Sequence, residues 1–134
     1  MEKRRKISKF IADYWPSLGV ALAIVIISLV PVPEVKPLED VPLIDKWVHF
    51  LMYGGLCLVC WWNYYSKGNS IKEYGRWILW IVAAPICLGG ALELAQAYLT
   101  NCRSGDWLDF LANSIGVILA IPIGIILSGR PRKT

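Results

Sequence analysis

Hydrophobic positions along the chain group into four long runs, from about Trp15 to Val32, Trp47 to Tyr65, Trp77 to Leu99 and Leu108 to Leu127. Polar or proline-containing stretches separate them. A helix crossing about 30 Å of hydrocarbon needs roughly 20 predominantly apolar residues, and each run has that length. The pattern predicts an all-α integral membrane four-helix bundle, one domain over residues 1–134, with only tails and short connections left over. The first run follows a basic stretch, as a secretory signal does, but no small-x-small cleavage site comes after it and "VPVPEV" supplies prolines instead. It reads as a retained transmembrane helix.

The polar positions within these runs form a second pattern. An ionisable side chain inside a bilayer costs about 2.5 to 3.5 kcal/mol on insertion scales, so one that persists faces the bundle interior and has a partner. The second run opens "DKWVHFLMYGG", which sets Asp45, His49 and Tyr53 four residues apart on one helix face. The third ends "ALELAQAYL", with Glu93 and Gln96 three apart. The fourth begins "RSGDWLDFLANSIG", where Asp106, Asp109, Asn113 and Gly116 fall at spacings of three, four and three, an arc of about 80°. At about 1.5 Å per residue, Glu93 lies roughly 24 Å from Trp77, Asn113 about 10 Å beyond Asp106 and His49 about 6 Å beyond Asp45. Three polar faces at matching depth predict one shallow polar pocket shared by the second, third and fourth helices. Gly89, Gly90 and Gly116 would let the backbones approach closely around it. Ser104 or Asp106 can cap the fourth helix, where an acid also suits the positive end of the helix dipole.

Charge gives the expected orientation. The segments "MEKRRKISK", "SKGNSIKEYGR" and "GRPRKT" hold eleven of the fourteen basic residues, and four crossings put all three on one side. The positive-inside rule makes that side cytoplasmic, with both termini there. The other side then carries seven acids, Glu93 among them, against Lys36, Lys46 and Arg103. A net charge of +4 spread over three segments suits anionic lipid better than nucleic acid, which is not an expected partner. A mean hydropathy of +0.49 and 56% hydrophobic residues agree with the membrane class. Trp15, Trp47, Trp77 and Trp107, each near a helix end, fit an aromatic interfacial belt. Cys57 and Cys60 form "CLVC" in the middle of the second helix, where thiols behave as small apolar groups. Cys102 is expected near the outer surface.

Three ordered blocks, "DKWVHFLMYGGL", "ELAQAYL" and "RSGDWLDFLANSIGVILA", resemble the VanZ-like family of small bacterial membrane proteins over about residues 45–120. The family pattern is met in order by Asp45, Lys46, His49, Phe50, Glu93, Gln96, Arg103, Asp106, Asp109 and Asn113. The resemblance implies a multi-pass protein of the bacterial cytoplasmic membrane, linked to resistance against the glycopeptide teicoplanin. Expected partners are membrane lipid and a lipid-linked cell-wall precursor or lipoglycopeptide. In the first reading, an outward pocket binds such an amphiphile, with Asp45, Lys46, Tyr53, Gln96, Arg103 and Asn113 as binding residues. In the second, the chain is an intramembrane enzyme in which His49, Glu93, Asp106 and Asp109 supply acid and base and Lys46 and Arg103 hold phosphate. In the third, it is a structural or partner-binding subunit. No cofactor or metal is assigned: a histidine among carboxylates could take a divalent cation, but no short ligand motif such as H-E-x-x-H is present. A dimer is compatible with so small a bundle, but the sequence does not specify one.

Overall fold

A computed structural model describes residues 1–31, 40–70, 72–101 and 104–128. The described residues are all-helical: α1 is Glu2–Leu29 and α2 is Ile44–Ser66. The third helix, α3, runs through Tyr74–Trp77, a π-helical stretch Ile78–Ala83 and Ala84–Leu99, and α4 is Trp107–Ser128. Glu2–Leu29, Gly75–Leu99 and Trp107–Leu127 are long and apolar enough to cross a membrane. At 23 residues α2 is also long, but its tryptophans, tyrosines, His49 and Asn63 dilute its hydropathy. It is the central helix. It buries Tyr53, Leu56, Cys57, Trp61 and Tyr64, and shares its most extensive interface with α4.

The α2–α4 crossing is set by two glycines. A Cβ on Gly116 would run into the carbonyl of Phe50, and one on Gly54 would lie 3.3 Å from the carbonyl oxygen of Gly116. The two backbones therefore touch, as small residues permit at membrane helix interfaces. This contact is one turn from Asn113 on α4 and little more than one from His49 on α2, so it fixes how those side chains meet. Cys57 is fully buried beside it, with its thiol directed to the Val117 carbonyl at 3.6 Å. Cys57 and Cys60 are packing groups, as their place in the helix suggests.

Helix α1 begins far earlier than the apolar run at Trp15. Its first turns carry a Glu2–Lys6 pair of 2.6 Å, and Ile7, Phe10, Ile11 and Tyr14 recur at helical spacing. The helix kinks at Tyr14 (φ −117°, ψ 16°), just before Pro16. Asn63 of α2 fills the broken ladder. Its Nδ2 donates to the Asp13 carbonyl at 2.8 Å, and its Oδ1 accepts from the Ser17 backbone N–H at 3.3 Å and the Ser17 hydroxyl at 2.9 Å. One buried amide thus replaces the Ser17-to-Asp13 hydrogen bond that a regular helix would make.

In α3, Pro85 cannot donate to the carbonyl four residues earlier, and its ring crowds that carbonyl. The preceding turn widens to π geometry, closed by the Ala84 N–H donating to Leu79 five residues back. The widening leaves Ile81 and Trp77 buried, and Trp77 packs on Trp61 with ring centroids 5.0 Å apart. Trp77 is therefore a core residue and not part of an interfacial belt, whereas Trp15, Trp47 and Trp107 are exposed as a belt requires. The outward faces of α1, α3 and α4 carry Leu22, Ile26, Leu79, Leu94, Ile118 and Leu119. An apolar exterior of that extent suits lipid as the surrounding medium.

Candidate functional site

The N-terminal end of α2, the C-terminal end of α3 and the N-terminal end of α4 meet at one end of the bundle, and each contributes polar side chains. The link between α3 and α4 is tight. A Cβ on Gly105 would overlap the Glu93 carbonyl, so this glycine lets the loop lie directly on α3. The neighbouring Asp106 N–H then donates to Glu93 Oε2 at 3.0 Å. Asp106 Oδ1 accepts from the Leu108 N–H at 2.9 Å, an N-cap for α4.

The polar groups form two layers. In the outer layer, the Lys46 ammonium is held by three carboxylates, at 2.6 Å from Asp45 Oδ2, 2.6 Å from Asp106 Oδ2 and 2.5 Å from Asp109 Oδ1. The Asp45 and Asp106 side chains remain 58% and 41% exposed, so this layer is the rim. Asp106 lies just outside the α4 span, and its carboxyl is held below the usual aspartate range, first by the Lys46 hydrogen bond and next by the Leu108 N–H. In the inner layer, His49, Glu93 and Asp109 are buried and Asn113 is fully so. His49 Nδ1 lies 3.0 Å from Asn113 Oδ1, its Nε2 lies 3.6 Å from Asp109 Oδ2, and its Nδ1 lies 3.9 Å from Glu93 Oε1. Below this layer Tyr53 and Asn113 close on Gly89, where an added Cβ would lie 3.1 Å from Asn113 Nδ2 and 3.2 Å from Tyr53 Cε1.

The expected set thus comes together for Asp45, Lys46, His49, Glu93, Asp106, Asp109 and Asn113, with Tyr53 at its base. Three features differ from expectation. Gln96 turns the other way and donates from Nε2 to the Ser28 carbonyl of α1 at 2.8 Å, which makes it a tie between helices. Lys46 is engaged by carboxylates, in hydrogen bonds to Asp45 and Asp106 and an ion pair with Asp109, where phosphate was expected. Arg103 and Cys102 lie outside the described residues. The inner layer is also covered by the rim, where the sequence pattern predicted an open pocket. A cavity of about 260 Å³ lies toward the other end of the bundle, lined by apolar groups such as Phe10, Leu56, Trp80 and Leu88. It shares no residue with the polar cluster. Gly54 and Gly105 were not singled out from the sequence, although a glycine directly before the capping Asp106 is a readable signal for close approach.

No protein-family model matches the chain, and no solved structure matches it. An uncharacterized protein of Schizosaccharomyces pombe is 28% identical over 111 residues, which is 83% of this chain and 65% of that protein. The chain thus spans just under two thirds of that relative's length.

Proposed function

We propose that this chain crosses a membrane four times with both termini on the cytoplasmic side. The two-layer cluster then lies at the extracytoplasmic end of the bundle and holds the polar head group of a lipid-linked or amphiphilic envelope molecule. The observation that carries this reading is the convergence of three helices on a buried polar layer beneath an exposed rim, in a bundle whose outer faces are apolar. The basic residues of the α1 N-terminus and of the connection between α2 and α3, at the other end, support the orientation. Among the described residues the rim presents Asp45 and Asp106 with no uncommitted cation, so a head group carrying an amine suits it better than a bare phosphate.

The resemblance to VanZ-like proteins supports a bacterial cytoplasmic membrane and protection against teicoplanin. The similar fission-yeast protein widens the candidates to amphiphiles of membranes in general. A lipid-linked cell-wall precursor or a lipoglycopeptide would be the bacterial case. A Ser104→Cys substitution in a cysteine-free background should react with a membrane-impermeant maleimide added outside intact cells. Protection from the reagent until the cells are opened would reverse the orientation.

One observation favours a second reading, an intramembrane enzyme: His49 stands between two buried carboxylates, Asp109 and Glu93, a setting for general acid–base work. Lipid and precursor analysis of cells with and without the protein separates the two. Binding predicts unchanged lipid and precursor masses, with less teicoplanin retained at the cell surface. A modified lipid or precursor that disappears with His49→Ala would replace binding by catalysis.

A further inference from the structure

Two triads in the cluster have donor atoms close enough to share a cation: His49, Glu93 and Asp109 in the inner layer, and Asp45, Asp106 and Asp109 in the outer. The outer one already holds a cation, the Lys46 ammonium, at 2.5 to 2.6 Å from each carboxylate. The inner one does not. Its His49–Asp109 and His49–Glu93 separations of 3.6 and 3.9 Å are too long for hydrogen bonds. The two are measured from different ring nitrogens, Nδ1 toward Glu93 and Nε2 toward Asp109, but one nitrogen of His49 and one oxygen of each carboxylate do lie within 4.8 Å of one another. Tetrahedral ligands at about 2.0 to 2.2 Å from one ion lie about 3.3 to 3.6 Å apart, so these donors would draw in by about an ångström around an ion.

Asn113 supplies a separate pointer. Its Oδ1 can only accept, so the hydrogen bond at 3.0 Å places the proton on His49 Nδ1 and leaves the Nε2 lone pair on the side of Asp109. A ligating histidine is oriented in this way by a partner on its other nitrogen. Asn113 is completely buried, and among the described residues its Nδ2 has no hydrogen-bond partner and faces Gly89, so the amide's one polar contact is the one that orients His49. The charge balance agrees: among the described residues four carboxylates face one ammonium, and of these Glu93 and Asp109 are buried, with only Asp109 paired to Lys46.

We propose that His49, Glu93 and Asp109 bind one divalent transition-metal ion of the zinc or manganese type, with Asn113 as the orienting partner of His49. One imidazole with two carboxylates is a mixed nitrogen and oxygen donor set, which suits such ions better than calcium or magnesium. The site does not depend on a head group docking above it. It also gives Lys46 a definite place, as the cation of the neighbouring triad with Asp109 shared between the two.

The full chain, purified in detergent without a polyhistidine tag and stripped with chelator, is titrated with Zn²⁺ and with Co²⁺. The expected result is one ion per chain, with Co²⁺ giving a visible absorption band. Affinity should fall tenfold or more in Glu93→Gln and in Asp109→Asn, and 10- to 100-fold in Asn113→Ala. Asp45→Asn should keep the one-to-one stoichiometry. His49 is the chain's single histidine, so nitrogen-15 spectra of the wild type decide the matter even if a variant fails to fold. Zn²⁺ should move the Nε2 resonance and leave Nδ1 protonated. No saturable binding by the folded wild type, with Nε2 protonated and hydrogen-bonded to Asp109, would overturn the proposal. So would binding that survives Glu93→Gln combined with Asp109→Asn.

Discussion

Removing the Lys46 ammonium probes the cluster most sharply, because three carboxylates depend on it unequally. The Asp45 and Asp106 side chains are 58% and 41% exposed, so water screens their contacts with Lys46 and little stability rests on them. Asp109 is different: its side chain is 12% exposed, and without Lys46 its Oδ1 is a buried charge with no cation. Breaking a buried pair from one side costs about 3 to 5 kcal/mol, and Lys46→Met should destabilise the protein by about that much. Asp109→Asn leaves the ammonium its two exposed partners and should cost about 1 to 2 kcal/mol. The double variant removes the orphan charge, so its loss should fall short of the sum of the two by about 2 kcal/mol. Thermal unfolding in detergent, followed by tryptophan fluorescence and by helical circular dichroism, measures all four corners of the cycle. Additive losses, or a Lys46→Met protein within about 1 kcal/mol of wild type, would refute the reasoning.

Other consequences can be checked with the same preparation. Asn63→Leu removes the amide that bridges the kink in α1 and strands the Asp13 carbonyl, so it should cost about 2 kcal/mol and raise proteolysis near Tyr14; unchanged digestion would count against the bridge. Gly116→Ala forces α2 and α4 apart at Phe50 and should cost about 1 to 3 kcal/mol by the same unfolding assay, more than Gly55→Ala, which meets nothing. Asp106 has a lowered folded-state pKa, so its contribution is present above the ordinary value of 3.8 and is lost as pH falls below it. The stability difference between wild type and Asp106→Asn should be constant near neutrality and shrink below that value; a difference independent of pH would show that the carboxylate is not engaged.

Much of this architecture could be read from local pattern. Four apolar runs gave four helices, and the three- and four-residue spacing of Asp45, His49, Glu93, Asp106, Asp109 and Asn113 brought those residues to one end at matching depth. Features decided by contacts between distant segments were hidden. Gln96 shares a helix face with Glu93, but the Ser28 carbonyl that claims it is 68 residues away. Lys46 looked like a phosphate ligand because spacing cannot show three acids closing on one ammonium. The early start of α1 was partly visible in Ile7, Phe10 and Ile11, but an amide from α2 is what lets the helix continue past its kink. Trp77 sits at the edge of an apolar run, as belt tryptophans do, and the π turn before Pro85 carries it inward.

The head-group reading itself is tested most directly by native mass spectrometry of the protein released from membranes in mild detergent. The wild type should retain a lipid or lipid-linked molecule, with amine-bearing head groups preferred over purely anionic ones. Asp45→Asn combined with Asp106→Asn should lose that retention while remaining helical and monodisperse. An identical set of bound lipids on both proteins, or a preference for anionic lipid that the rim substitutions leave untouched, would contradict it.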